Sequence, residues 1–558
     1  MSNVTQNFKI ITPIKALGIA LRSLLWAALL TLILTGGYRG KLEFSQVDTL
    51  GWLALLVTLI LRNAQCHSLP DWASHLTAKA VSSFQIRPAR WLIGLFCGQA
   101  ALYFAIQWSK FYTFITNAYD MTYVEQAIWA TAKFWPQGKL LASNLAVGGT
   151  YFGEHFAPVL ALLSPLYWII DTPAHLFWVQ PLLIGSGLFW CYKLCRKRAL
   201  EAPVVLGILT LYMIYQPLRM GAIFNFREDA FFIPLLFGTI WAIEINRKAL
   251  FWIFALCCFF VKENAAMALI MIAVWSWARG YKREGIILCF ASVFIFGFLN
   301  FYLSPLLAGG AQHAMISNRL SYMTTSSDDL ARSLWQKPFA LLSLSLGKVL
   351  QWKSLKYIGA VFLPFAPVLI QRPRRDSMLF MGALLLALAN LLFTPGSVGL
   401  HYELILVPFL FAGLIFGMAP RESERARQIQ YVLLLALCVF GRSPVLTLRE
   451  SMPNADHIQL ERYLRQIPSN ASVITQTDLM PHLHRRKEIA VYSPIASLDA
   501  DFVIFSFLKG MSFYATNGVA EAKQRLPQMG YTEFFSNPVM TIWCRSGVSC
   551  QKLKDFKK

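Results

Sequence analysis

The sequence predicts an all-α polytopic membrane protein of about thirteen membrane helices, followed by a small extracytoplasmic α/β domain at its C-terminal end. Three observations predict it. Of 558 residues, 56% are hydrophobic and only 14% are charged, against about 25% charged in a soluble globular chain. Long apolar runs recur from residue 16 to residue 446. The last 111 residues then change to short alternating patterns. With a mean hydropathy of +0.49, these figures exclude a disordered chain, a collagen-like repeat and a disulfide-stapled mini-domain.

The apolar runs fall near 16–36, 48–62, 90–108, 175–192, 201–217, 230–245, 249–261, 264–278, 286–305, 357–371, 378–394, 402–419 and 428–446. The first holds Arg22 and lacks a small-residue cleavage site, so it reads as an anchor rather than a removable leader. Net charge is +22, which in a soluble protein would suggest a polyanionic partner. Placing the N-terminus in the cytoplasm explains most of it. Basic clusters at 193–198, 247–248, 279–283, 372–375 and 421–427 then all face inward, while outer turns hold few cations. Nucleic acid is not needed as a partner, and the location implied is the inner or plasma membrane.

Two segments decide the parity. The stretch 156–170 is apolar but contains Pro158 and Pro165 and is too short to span, so it reads as interfacial or re-entrant. Residues 249–278 have basic flanks on both sides and read as a hairpin of two short helices with Lys262, Glu263 and Asn264 at the tip. The chain then divides into an N-terminal helical hairpin and cytoplasmic linker (1–89), a transmembrane unit (90–447) whose outer loop 109–174 carries juxtamembrane helices, and the extracytoplasmic domain (448–558). A second outer loop covers 306–356. In the tail, a helix is expected over 458–467, strands over 472–476, 489–492 and 502–507, and another helix over 519–526. The ten cysteines form no C-x-x-C pair and mostly sit in apolar runs, but Cys544 and Cys550 could bridge in an oxidising compartment.

The chemistry-bearing residues all fall on the outer side of this topology. Asp120 opens a segment in which Met121, Val124, Ile128, Ala132 and Trp135 recur at helical spacing, which predicts an amphipathic helix along the membrane surface. Glu154 and His155 precede the interfacial stretch, where they either cap it or serve a site. Arg227, Glu228 and Asp229 lie on an outer turn, Lys262 and Glu263 at the hairpin tip, and His401 and Tyr402 at the outer end of another run. Ionisable groups at the bilayer edge are costly, so their recurrence points to a shared polar pocket or to a structural ion-pair network joining Lys262 to Glu228 or Asp229.

A carboxylate above the bilayer suits a general base acting on an acceptor hydroxyl, while cations neutralise a phosphate leaving group whose lipid tail stays between helices. Asp120 would be the base and Arg227 and Lys262 the phosphate-side cations. His155, Glu228 and His401 would orient sugar or acceptor, or bind a divalent cation if the reaction uses one. The chain has no Walker loop, H-E-x-x-H, G-x-S-x-G or dinucleotide fingerprint.

The succession YDMTYVEQAIWAT, YFGEHFAPVLALLSPLYW, FNFREDAFFIPLLF, VKENAAMAL and HYELILVPFL resembles the bacterial membrane-protein family called domain of unknown function 2079, over roughly 92–419. That family is grouped with the GT-C superfamily of glycosyltransferases that use lipid-phosphate-linked sugars. The resemblance implies a GT-C-like fold, a polyprenyl-phosphate-linked sugar as donor among the surrounding membrane lipids, and Asp120 in the place of the loop acid that serves as base or metal ligand. His155 is similar to the residue before the proline that precedes the second juxtamembrane helix. Arg227 stands where the family more often has His, and Asn264 where it more often has Asp. The competing expectation is non-enzymatic: a lipid or glycan transporter, or an envelope-assembly scaffold, using the same pocket. No half-to-half repeat supports a common secondary-transporter fold.

Overall fold

The computed structural model describes residues 71–116, 121–135, 140–307, 309–310, 336, 338–365, 378–393, 401–418, 444–492, 499–508, 522–545, 548–551 and 553. These are mostly helical, with a small C-terminal sheet. Helix α1 (Asp71–Ile86) stands where a linker was expected and is followed at once by α2 (Pro88–Tyr112), whose first-turn proline needs no amide partner. After α3 (Tyr123–Ala132) and a run of single turns come α4 (Ala174–Lys197), α5 (Ala202–Ile214) and α6 (Gln216–Ile223). The chain bends by 45° between α5 and α6, because Tyr215 leaves the helical region and Pro217, in the first turn of α6, has no amide to carry the helical ladder across it. The Tyr215 hydroxyl holds the bend by donating to the Val361 carbonyl at 2.9 Å.

The bundle continues with α7 (Phe232–Glu244), α8 (Lys248–Phe259), α9 (Ala265–Ala278) and α10 (Lys282–Phe298). The hairpin expected over 249–278 is present as α8 and α9. Helices α9 and α10 approach closely at Gly285, where a β-carbon would stand 2.7 Å from the Ala273 carbonyl oxygen. Next come α11 (Pro338–Val349), α12 (Trp352–Phe362), α13 (Met378–Phe393) and α14 (Val407–Gly417). Helix α11 corrects the reading of 306–356 as loop: it packs against α13, and Lys348 Nζ donates to the Leu392 carbonyl at 2.6 Å. The interspersed serines and Gly347 had masked its apolar pattern.

Among the described residues three helices are long and apolar enough to cross a membrane, namely Pro88–Tyr112, Ala174–Lys197 and Lys282–Leu307, and the bent α5–α6 pair makes a fourth if it is one span. The expected thirteen are not reached among the described residues. The segments 16–36, 48–62 and most of 428–446 lie outside them, and several others are too short. Helices α8 and α9, with 12 and 14 residues, reach only about 18 and 21 Å against a hydrocarbon thickness of about 30 Å. Turns that carry polar residues cut the apolar runs at these points.

The tail begins with α15 (Pro444–Glu450) and α16 (Ala455–Leu464), the latter capped reciprocally by Asn454 and His457. Strands β1 (Val473–Thr475), β2 (Ile489–Val491) and β3 (Phe502–Ser506) stand where the alternating patterns placed them. Strands β4 (Tyr531–Ser536) and β5 (Met540–Arg545) were not anticipated. They form a hairpin whose turn is closed by Asn537, its side chain accepting from the Val539 and Met540 amides at 2.9 and 2.8 Å. The sheet order is β2-β1-β3-β5-β4, parallel through the first three and antiparallel beyond. Cys544, near the end of β5, forms a disulfide with Cys550.

Candidate functional site

The two ends of the helical bundle differ in charge chemistry. At one end Arg198, following α4, and Arg279, following α9, both bond Glu244 at the end of α7, while Lys248 pairs with Glu284 at 2.6 Å. At the other end the turns before α7, between α8 and α9, and before α14 bring acids, Lys262 and His401 together, with His155 joining from the stretch before the interfacial segment. Lys262 Nζ lies 2.8 Å from Glu228 Oε1 and 2.9 Å from Asp229 Oδ2, with all three side chains buried. The Tyr151 hydroxyl donates to the other Glu228 oxygen at 3.1 Å. His401 Nε2 stands 3.6 Å from Asp229 Oδ2, and its ring packs at a tilt against Tyr402 with centroids 4.2 Å apart.

The neighbouring residue at the hairpin tip extends the network. Glu263 accepts from His155 Nδ1 at 2.8 Å and from the Phe156 amide at 3.1 Å. A second tie holds the same junction, where the Val159 amide donates to the Phe260 carbonyl at 2.9 Å. These bonds fix the stretch before the interfacial segment against the α8–α9 tip. That segment is a 3₁₀ helix, Pro158–Leu163, followed by a single α-turn, Leu166–Ile169, and it exposes Leu162, Trp168 and Ile169. His155 keeps 29% of its side chain exposed while Glu263 keeps 2%, so an inner carboxylate orients a ring that solvent can reach.

Arg227 is positioned through its backbone: Gln180, inside α4, accepts from the Arg227 amide at 2.8 Å and donates to the Gly221 and Phe224 carbonyls at 2.9 Å each. Glu154 is half-buried beside His155. The network therefore joins side chains from four separated segments of the sequence, 154–155, 227–229, 262–263 and 401–402.

Charge state follows from this geometry. Burial alone would strip the proton from Lys262, but Asp229 and Glu228 outweigh it and hold the ammonium well above its usual range. Burial also opposes ionisation of Glu228, yet Lys262, His155 and Arg227 hold it down to about 2. Asp229 is pushed up by burial, and the charge of Glu228 adds to that against the pull of the shared Lys262. Three carboxylates (Glu228, Asp229, Glu263) face the cations Arg227 and Lys262, with the rings of His155 and His401 beside them. Lys262 is thus paired with Glu228 and Asp229, the ion-pair arrangement weighed against a substrate-facing role. Asp120 lies outside the described residues. Among those described, no group of three or more His, Cys, Asp or Glu side chains is placed to hold a metal ion.

Helix α3 also departs from expectation. It is not a surface helix with one wet face: Val124, Glu125, Gln126, Ile128 and Ala130 are all fully buried. Its polar side is covered by the C-terminal tail. Glu125 accepts from the Tyr167 hydroxyl at 3.1 Å and faces His484 Nε2 at 3.1 Å, while Gln126 bonds Ser143 at 2.7 Å.

The sequence profile of the family described as "Predicted membrane protein (DUF2079)" matches residues 110–507. The chain belongs to this family. No curated protein matches the chain. The DUF2079 region contains every residue of the network above and the first three strands of the sheet, and it ends before the β4–β5 hairpin. Sequence reasoning within it missed Tyr151, Gln180, Glu125, Tyr167 and His484. Tyr151 directly precedes the singled-out Phe-Gly-Glu-His stretch and was within reach. Gln180, a polar residue in an apolar run, carried a usable signal of the kind membrane segments reserve for packing or function. His484 had none, since it lies 359 positions from Glu125 in the chain.

Proposed function

We propose that this DUF2079 protein is an integral-membrane glycosyltransferase of GT-C type, moving a sugar from a polyprenyl-phosphate carrier to an acceptor outside the cytoplasm. The supporting observation is the convergence of His155, Glu228, Asp229, Lys262, Glu263 and His401 at one end of an apolar bundle, away from the Arg198, Glu244 and Arg279 cluster. The orientation follows the basic segments, with the N-terminus and the arginine end in the cytoplasm and the C-terminal domain outside. The Cys544 and Cys550 disulfide suits an oxidising compartment.

In this reading the acceptor oxygen attacks the anomeric carbon and the bond from that carbon to the phosphate oxygen breaks. The acceptor proton passes to Asp120 and the polyprenyl phosphate leaves with the electron pair, inverting the anomeric centre. The exposed edge of His155, oriented by Glu263, and the charge of Arg227 receive the phosphate or sugar. Lys262 holds Glu228 and Asp229 in place. The test is transfer from a radiolabelled polyprenyl-phosphate sugar by the full chain in nanodiscs. Loss of product with retained folding in Asp120→Asn and His155→Ala supports the assignment, and undiminished transfer in Asp120→Asn overturns the proposed base.

One observation favours a second reading, a non-enzymatic lipid or glycan carrier or envelope scaffold. The Glu228, Lys262 and Asp229 set is buried and its charges are paired within the chain, as in a structural network. Biological rescue by Asp120→Asn, with no covalent product in either form, would select it.

A further inference from the structure

A groove of about 440 Å³ opens where the C-terminal domain meets the end of α2, within the size range of small-ligand pockets. Its floor is aromatic, from Trp108 and Tyr112, whose rings lie 4.9 Å apart. Its other wall is α16, which contributes Ile458, Glu461 and Arg462, followed by Arg465. The groove lies at a definite depth. Helix α2 has 25 residues, about 37 Å at 1.5 Å per residue, and so outruns a hydrocarbon core of about 30 Å. Its terminal Trp and Tyr are the residues that settle at the headgroup level. On the domain side Ile458 is 54% exposed and neighbouring Met452 60%, two apolar side chains turned outward beside the same groove.

The charge in the groove is unbalanced toward positive. Glu461 is its one lining acid, and it is committed twice: one oxygen accepts from His482 Nδ1 at 2.6 Å and the other from Arg465 Nε at 2.8 Å. Arg465 also reaches across the groove to the Tyr112 hydroxyl at 3.3 Å, yet its side chain stays 66% exposed. Arg462 is exposed on the same wall, and among the described residues no carboxylate stands within ion-pair distance of it. An exposed cation pair above an aromatic floor at headgroup depth matches a phosphodiester with a net negative charge and an apolar tail.

We propose that this groove binds an anionic phospholipid of the surrounding leaflet. Arg462 and Arg465 hold the phosphodiester, and Trp108, Tyr112 and Ile458 line the glycerol and the first acyl carbons. The bound lipid ties the C-terminal domain to the bilayer surface. This inference rests on membrane residence and not on sugar transfer.

The test is native mass spectrometry of the full chain released from nanodiscs of equimolar phosphatidylglycerol and phosphatidylcholine. Wild type is expected to retain phosphatidylglycerol preferentially. Arg462→Gln with Arg465→Gln is expected to lose about thirty-fold in that retention, from roughly a fivefold loss per arginine. Because Arg465 also braces Tyr112 and Glu461, Arg462→Glu alone serves as a second variant that leaves those bonds intact, and it is expected to lower retention as well. Soluble glycerol 3-phosphate at matched concentration is expected not to displace the lipid. Equal retention of the two lipids by wild type, unchanged retention in Arg462→Glu, or displacement by glycerol 3-phosphate would each overturn the assignment.

Discussion

The acid–lysine network at the end of the bundle and the docking face of the C-terminal domain both bury charge, but they neutralise it by different means. In the bundle a permanent ammonium, Lys262, sits between two carboxylates. At the docking face the partners of the acids are imidazole rings. His482 lies between the rings of Phe111 and Phe114, with centroids 4.0 and 4.1 Å away, and its two nitrogens bond Glu461 and the Phe111 carbonyl. His484 bonds the Pro481 carbonyl and faces Glu125. The bundle network is centred on an ammonium held charged by its carboxylates, while the docking face is joined through histidine rings.

That contrast is broken most directly at Lys262. Lys262→Met leaves two carboxylates buried without their cation and should cost about 3–5 kcal/mol, read as a large fall in thermal stability in detergent. Adding Glu228→Gln and Asp229→Asn should restore most of it, and failure to do so would show that Lys262 acts through packing. Next in size is His484→Phe, which leaves Glu125 facing Tyr167 alone. The expected cost is about 2–3 kcal/mol, seen as faster proteolysis between α15 and α16 with the bundle intact, and relieved by Glu125→Gln.

A pH titration sharpens the comparison further. Burial would raise the Glu461 carboxyl, but His482 and Arg465 together hold it below the usual carboxylate value of 4.5. A depressed acid stabilises the docked state fully above that value and loses its contribution as pH falls through the lower folded value. Hydrogen exchange at α16 should therefore rise on acidification below about pH 4.5, and Glu461→Gln should flatten that rise. The smallest effect is expected at His155→Gln, about 1 kcal/mol or less of stability, because the ring is partly exposed and Gln can still donate to Glu263. A large loss of stability there would place His155 in the structural network rather than at its accessible edge.

How far the sequence could be read depended on the range of the interaction. The helical runs, the α8–α9 hairpin and the first three strands follow local periodicity and flanking charge, and they were legible. Helix α11 was not, because serines interrupt its apolar face, and the β4–β5 hairpin was not, because an Asn-Pro turn was passed over. The candidate residues were found as separate polar clusters, with the pairing of Lys262 to Glu228 or Asp229 as one of two alternatives, but the bonds from Glu263 to His155 and from Tyr151 to Glu228 were not anticipated.

Hydropathy and the placement of basic residues alone determined that this chain belongs in a membrane and which of its turns carry acids, lysine and histidine, because transfer energies are properties of the residues themselves. Only the tertiary structure decided that Glu263 orients His155, that Lys262 is consumed internally, and that the polar side of α3 is covered by His484. Those outcomes depend on distances between segments far apart in the chain, which local pattern does not encode.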